Sequence, residues 1–125
     1  MTGSRRILLV EDDRFLRRAC ETSLRQRGFA VTVAVDGEEA LVKVQHESPD
    51  LILLDLLMPK VSGMEVLRTL RAQEPTRSIP VMILSNSSRE QDVEEIRSLG
   101  VVDYLVKANL SLQELGDRVA RLLEG

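Results

Sequence analysis

The middle of the chain reads Leu51-Ile52-Leu53-Leu54-Asp55, a run of four apolar residues closed by a carboxylate. An all-apolar run of this length is typical of a central strand in a parallel sheet, because helices then cover both of its faces. Two similar runs lie at 7–10 and 81–84. The chain therefore favours an α/β architecture with buried parallel strands.

Two further strands and five helices follow from the spacing of apolar residues between these runs. Alternating valines over 30–35 indicate a half-covered edge strand, and 101–106 is predicted as a fifth strand. Helix N-caps are predicted at Asp36, Ser88 and Ser111. The helical apolar positions are Phe15, Leu16, Ala19, Cys20 and Leu24; Ala40, Leu41 and Val44; Val66, Leu67 and Leu70; Val93 and Ile96; and Leu112, Leu115, Val119 and Leu122. We expect a doubly wound (βα)5 domain whose five-stranded parallel sheet has the order 2-1-3-4-5, with helices on both faces.

Length and composition fit one such domain and argue against several functions. The 125 residues, 43% hydrophobic and 30% charged, suffice for one compact domain. The formal net charge of −3 disfavours direct binding to nucleic acid, whose phosphates attract basic surfaces. A single cysteine allows no intrachain disulfide, and the apolar runs are too short for a membrane span or a secretory signal. We predict a cytoplasmic protein without membrane contact.

Acidic residues lie at the predicted carboxyl ends of two neighbouring strands. Glu11, Asp12 and Asp13 follow the first strand, and Asp55 ends the third. In a sheet of order 2-1-3-4-5 these ends flank the crevice in which ligands bind. Carboxylates held this close repel one another, so the cluster either takes up protons or binds a cation. Hard oxygen ligands favour Mg²⁺ as that cation.

Ser85 and Lys107 follow the predicted fourth and fifth strands, at the same end of the sheet. A phosphoryl group on Asp55 needs positive charge and a hydroxyl donor for its oxygens, which Lys107, Ser85 and Mg²⁺ together supply. Asp55 is then the nucleophile and forms an acyl phosphate. These strand ends are therefore predicted to form a phosphoryl-transfer site.

The chain resembles the receiver domain of two-component response regulators, which has a flavodoxin-like fold, over residues 5–124. The matching segments are Ile7-Leu8-Leu9-Val10-Glu11-Asp12-Asp13; Asp50-Leu51-Ile52-Leu53-Leu54-Asp55 with Met58-Pro59 and Gly63; Pro80-Val81-Met82-Ile83-Leu84-Ser85; and Asp103-Tyr104-Leu105-Val106-Lys107. The resemblance implies a single receiver domain over 1–125 without an output domain. It also implies that the chain is not a turnover enzyme and catalyses only its own phosphorylation and dephosphorylation.

The resemblance assigns the phosphorylation and metal roles to four residues. Asp55 is the phosphoacceptor and also a metal ligand. Asp12 binds Mg²⁺ directly, while Glu11 acts mainly through water. The main-chain carbonyl of Leu57 is a further protein ligand.

Three more residues receive switching roles from the resemblance. Ser85 is the switch hydroxyl, Lys107 is the phosphate-binding cation and Tyr104 is the switch aromatic, although a strand tyrosine is equally compatible with plain packing. In the family, the phosphodonor is a histidine kinase or a phosphotransfer protein. Phosphorylation is expected to change the surface formed by the fourth helix, fifth strand and fifth helix, which favours an unidentified downstream protein or a homodimer.

Four positions depart from the family pattern. Ala108 follows Lys107 where a cis proline is usual; a non-proline cis bond costs about 2.5 to 4 kcal/mol, so the loop either stores strain or takes a trans path. Asn86 replaces a small residue and is expected to affect access to Asp55. Leu57 and Ser87 occupy the positions that tune attack by water on the acyl phosphate. Because an apolar side chain cannot orient a water, Leu57 predicts slow self-dephosphorylation.

Other functions match part of this pattern. A phosphatase of the haloacid-dehalogenase type needs a second acid two residues after its nucleophile, where this chain has Leu57. A flavodoxin-like electron carrier needs a hydroxyl-rich phosphate loop and stacking aromatics, whereas aromatic residues make up 2% of this chain. A receiver-like interaction module that works without phosphorylation stays an alternative, although it typically lacks one of the residues retained here at Asp12, Asp55 and Lys107.

The first predicted helix is rich in arginine. The positions are Arg14, Arg17, Arg18, Arg25 and Arg27. A charged helix face is generally solvated, and the family also docks kinases on this helix, so both interpretations stay open.

Overall fold

The structure, a computed structural model, describes residues 4–56, 58, 60–85 and 90–124, with the main chain alone for 90–92. The strands are β1 (Arg6–Val10), β2 (Ala30–Ala34), β3 (Leu51–Asp55), β4 (Val81–Ser85) and β5 (Asp103–Val106). The helices are α1 (Arg14–Gln26), α2 (Gly37–Glu47), α3 (Gly63–Ala72), α4 (Glu90–Ser98) and α5 (Leu112–Glu124), with a 3₁₀ turn at Lys107–Asn109. The strands pair in parallel in the order β2-β1-β3-β4-β5, which confirms the predicted topology.

The central strands separate two apolar cores. Leu9 and Leu53 point to the side covered by α1 and α5, whereas Leu8 and Ile52 point to the side covered by α2, α3 and α4. Alternate side chains of one strand face opposite sides of a sheet, so a strand buried on both faces must be apolar throughout. None of the helices in the described ranges has both the length and the apolar composition needed to cross a membrane.

Polar caps begin several helices where the sequence predicts them. The Asp36 carboxylate accepts a hydrogen bond from the amide of Glu39 at 2.8 Å, and the Ser111 hydroxyl accepts one from the amide of Glu114 at 3.0 Å. Each bond satisfies an amide that lacks a partner within the helix. The cap predicted at Ser88 lies outside the described residues.

Some predicted core positions and boundaries are wrong. The Phe15 side chain is 86% exposed, because the buried stripe of α1 runs through Cys20 and Leu24 and leaves Phe15 facing away. Leu112 and Leu122 are also largely exposed, at the two ends of α5. The second strand ends one residue early, at Ala34, and β5 begins at Asp103 rather than at 101.

Two side chains donate hydrogen bonds to the main-chain carbonyls of the edge strand β2 that point away from the sheet. The main chain of Ala30 and Ala34 bonds towards β1, so the main-chain groups of the alternate residues point outward. Arg25 donates to the carbonyl of Val31 at 2.9 Å, and Lys43 donates to that of Val33 at 2.5 Å. Such side chains discourage pairing with a strand of another molecule.

Candidate functional site

Three predicted carboxylates meet at the carboxyl ends of β1 and β3. Oxygen atoms of Glu11, Asp12 and Asp55 all lie within 4.8 Å of one another. Glu11 and Asp55 are buried, whereas Asp12 is exposed. The parallel pairing of β1 with β3 brings together side chains that are 44 positions apart in sequence, as predicted for Glu11 and Asp55.

The loop between β1 and α1 orients the first two acids. The amide of Glu11 donates to the carbonyl of Ala34 at 3.0 Å, which continues the β1–β2 pairing by one residue. The amide of Asp13 donates to Glu11 Oε2 at 3.0 Å. The carboxylate of Asp13 caps α1 by accepting bonds from the amides of Phe15 and Leu16, and it does not belong to the three-carboxylate cluster. Of the three consecutive acids, two therefore face the cluster and the third begins the helix.

A close approach of two main-chain segments positions Asp55. Gly63, the first residue of α3, lies against the main-chain oxygen of Asp55 and the α-carbon of Leu56, where a side chain would overlap both. The amide of Gly63 also donates to the carbonyl of Leu56 at 3.0 Å. The start of α3 thus fixes the direction in which the chain leaves β3.

Lys107 lies between the buried carboxylates. Its Nζ atom is 2.6 Å from Glu11 Oε1 and 3.2 Å from Asp55 Oδ2. Burial lowers the pKa of Lys107, but its contacts with Glu11 and Asp55 more than offset this effect, so the pKa is raised. Lys107 is therefore protonated at neutral pH and balances part of the negative charge of the cluster.

The remaining predicted site residues in the described ranges lie at neighbouring strand ends. Ser85 is fully buried at the end of β4, next to the residue that pairs with Asp55. Tyr104 is half-buried on β5 and packs against the apolar core under α2, α3 and α4. The peptide bond from Lys107 to Ala108 is trans, and the chain continues there into the 3₁₀ turn. Leu57, Asn86 and Ser87, for which roles in metal binding, access or dephosphorylation are predicted, lie outside the described residues.

The donor set matches the chemistry of Mg²⁺. The cluster offers carboxylate oxygens, which are the ligands that this hard cation prefers. Glu11 Oε1 contacts Lys107 as an ion pair but accepts no well-aligned hydrogen bond from the described residues, so it retains capacity to accept one from a metal-bound water. Neither Cys20 nor His46 belongs to the cluster, which argues against a zinc site. The residues present therefore fit Mg²⁺.

The family model of the response regulator receiver domain matches residues 7–120. This chain belongs to that family. Over 120 residues the domain is 42% identical to the transcriptional activator protein PfeR of Pseudomonas aeruginosa, an alignment that covers 96% of this chain and 38% of PfeR. The first curated relatives are longer proteins, of which the chain spans 38%, 15% and 49%.

Solved receiver structures share the whole fold. The chemotaxis protein CheY4 of Vibrio cholerae superposes with a TM-score of 0.87 at 28% identity, covering 95% of this chain and 98% of that one. The Mn²⁺-bound form of the response regulator Rcp1 superposes with a TM-score of 0.86 at 31% identity, covering 96% and 95%. PfeR is named a transcriptional activator, so this comparison does not support the expectation that the domain makes no contact with nucleic acid. That expectation rests only on the net charge of −3 and stays a prediction.

Two residues that position the site without contributing a ligand were not predicted from the sequence. Arg17 on α1 bonds the carbonyls of Glu11 and Asp12, and Gly63 on α3 lies against the main chain of Asp55. In the sequence, Gly63 is part of a segment that matches the family, and Arg17 is one of several arginines of the first helix. Their roles depend on main-chain carbonyl positions, which residue types do not reveal.

Proposed function

We propose that this receiver domain accepts a phosphoryl group on Asp55 from a phosphohistidine of a histidine kinase or phosphotransfer protein. The observation that carries the proposal is the setting of the Asp55 carboxylate. It is buried, lies 3.2 Å from Lys107, and shares a 4.8 Å cluster with Glu11 and Asp12. A carboxylate so placed is available as a nucleophile beside a cation that neutralises an incoming phosphate.

In the proposed reaction, a bond forms between an Asp55 oxygen and phosphorus while the donor's phosphorus–nitrogen bond breaks. The histidine nitrogen keeps the electron pair of that bond. Lys107 balances the charge of the phosphoryl oxygens, and Ser85 offers them a hydroxyl donor. Mg²⁺, held by Asp12, Asp55, the Leu57 carbonyl and, through water, Glu11, would supply further positive charge to the same oxygens.

The product of the reaction is the phosphorylated domain itself and not a released small molecule. We therefore propose that the chain does not turn over many substrate molecules. The chain would catalyse only its own phosphorylation and the later hydrolysis of the acyl phosphate. Leu57 leaves no polar side chain at the position that would orient a water, which supports slow hydrolysis. A phosphorylated half-life on the order of seconds without a phosphatase would contradict this part of the proposal.

The proposed output is a change of the α4-β5-α5 face, with Ser85 and Tyr104 linking it to the phosphate. On this face, Arg118 donates to both carboxylate oxygens of Asp103 at 2.9 Å, beside a groove of about 480 Å³ between β5 and α5. Charged groups along a groove suit a protein partner or a second copy of the domain. We place this signalling in the cytoplasm.

The test is incubation with Mg²⁺ and acetyl phosphate, followed by intact mass. The wild-type domain is expected to gain one phosphoryl group, and Asp55→Ala is expected to gain none. Asp50→Ala is a matched control, because Asp50 precedes the same strand at its opposite end and contacts Arg6 there. If the folded wild type neither gains mass with acetyl phosphate nor binds beryllofluoride in a titration, an interaction module that works without phosphorylation is favoured.

A further inference from the structure

Arg17 contacts the main chain of both acids that precede α1. Its Nη1 atom donates to the carbonyl of Glu11 at 3.1 Å and to the carbonyl of Asp12 at 3.3 Å. The guanidinium makes no ion pair with a carboxylate in the described part of the chain. Arg17 thus bonds the main-chain carbonyls of Glu11 and Asp12 and does not bond their carboxylates.

Asp12 depends on this contact more than Glu11 does. Glu11 is also held by Ala34 through its amide, and by Lys107 and the amide of Asp13 through its carboxylate. Asp12 is exposed, and its carboxylate has no hydrogen bond or ion pair among the described residues. The main chain of Asp12 therefore sets only where its Cα–Cβ bond starts and points, and Arg17 holds the carbonyl of that residue.

We infer that Arg17 is a positioning residue that holds the Glu11–Asp12 main chain so that the Asp12 carboxylate faces the metal position. The inference rests on the proposed Mg²⁺ site. Two effects of removing Arg17 have opposite signs. Loss of a positive charge near the cluster strengthens binding of a cation, whereas loss of the hold on the carbonyls weakens it.

The experiment compares Arg17→Gln with Arg18→Gln. Both variants lose one positive charge at adjacent positions of α1, but Arg18 is exposed and contacts no partner among the described residues. Mg²⁺ affinity is measured by calorimetric titration, and amide hydrogen exchange at Glu11 and Asp13, whose amides are hydrogen-bonded, is measured without metal. Arg17→Lys, which keeps the charge on a side chain that ends short of the Nη1 position, is the second variant if Arg17→Gln folds poorly, and it is also expected to bind Mg²⁺ more weakly than the wild type.

Arg18→Gln is expected to bind Mg²⁺ as tightly as the wild type or slightly more tightly. Arg17→Gln is expected to bind Mg²⁺ about tenfold more weakly, as is usual when a group supporting a metal ligand is lost, and to exchange the Glu11 and Asp13 amides faster. Equal or tighter binding by Arg17→Gln with unchanged exchange would overturn the inference alone. Absence of Mg²⁺ binding by the folded wild type would overturn the proposed function, while the exchange data would still test the hold of Arg17 on the loop.

Discussion

Two sides of the site are held by different kinds of contact. The acidic side is formed by Glu11, Asp12 and Asp55. Asp13 and Arg17 hold its first two residues from nearby in the sequence, whereas Asp55 is held by Gly63 at the start of α3 and by Lys107 after β5. The α4 side consists of α4 and the loop 99–102 that leads into β5. Long-range arginine contacts from α3 support it: Arg68 bonds Glu95 at 2.8 Å, and Arg71 bonds the carbonyls of Leu99 and Gly100 at 2.7 and 3.3 Å.

A switch needs a site that stays formed and a separate surface that changes, and the two kinds of contact fit these two needs. Contacts close in sequence hold the Glu11–Asp12 segment, and none of these contacts comes from α4. The α4 side is held by the buried side chain of Ile96 and by the arginine contacts from α3, which are separate from the contacts that Asp13 and Arg17 make. We therefore expect substitutions on the acidic side to affect phosphoryl and metal chemistry, and substitutions on the α4 side to affect stability with the chemistry retained.

Lys107 connects the two sides, because it follows β5 and contacts Glu11 and Asp55. Lys107→Met leaves both buried carboxylates without this cation, and we expect the free energy of unfolding to fall by about 4 kcal/mol without metal. Mg²⁺ should restore part of this loss by neutralising the cluster. Denaturant titrations with and without Mg²⁺ measure both effects. Lys60→Met is the matched control. Lys60 is exposed, and its buried partner Asp36 keeps the hydrogen bond from the amide of Glu39, so the loss should stay below about 1 kcal/mol.

The stability difference between wild type and Lys107→Met should also depend on pH. Because the pKa of Lys107 is raised in the folded state, its contribution is fully present below its unfolded pKa and is lost as the pH rises through the folded value. We expect a constant difference through neutral pH that shrinks in alkaline solution. A difference that disappeared between pH 6 and 8, as an approximate window, would instead implicate another titrating group.

Gly63→Ala tests the acidic side at Asp55. A methyl group at this position overlaps the main-chain oxygen of Asp55, so we expect a loss of about 3 kcal/mol and much slower phosphorylation by acetyl phosphate. Gly116→Ala is the control, because its methyl group would displace only the flexible side chain of Arg27, which would give up exposed bonds to Gln113 and Asp117. Thermal melts measure the loss of stability in each variant, and intact mass measures its rate of phosphorylation. Equal behaviour of both would show that the start of α3 does not fix Asp55.

The same contrast explains how far the sequence predicted the molecule. The sheet order follows from residue types at strand ends and is confirmed. Glu11, Asp12 and Asp55 meet as expected, whereas Asp13, which was expected to join them, caps α1 instead. Phe15 was wrongly assigned to the core, because its apolar character says nothing about where α1 meets the sheet. The contacts of Arg71 escaped prediction because their acceptors are carbonyls 28 and 29 residues away, and every residue has a carbonyl.

Arg71→Ala tests the α4 side. The guanidinium of Arg71 also donates to the carbonyls of Arg77 and Ile79 at 2.9 and 2.8 Å, so it joins the loops before β4 and β5. Its removal should cost about 2 kcal/mol, because charged hydrogen bonds to partly buried carbonyls are lost. Phosphorylation by acetyl phosphate and Mg²⁺ affinity should stay near the wild-type values. A large loss of Mg²⁺ affinity in a folded variant would show that the two sides are not independent.

Arg68→Ala should have the smallest effect on stability. It tests whether the middle of α4 is held as firmly as its carboxyl end. Arg68 bonds Glu95 near the middle of α4, but both side chains are substantially exposed, so water and salt screen the pair. We expect a loss below about 1 kcal/mol that vanishes at high salt. Glu95→Ala should match it, and the double variant should add little, because each single change already removes the interaction. If Arg68→Ala instead cost as much as Arg71→Ala, α4 would be attached along its length rather than mainly at its carboxyl end.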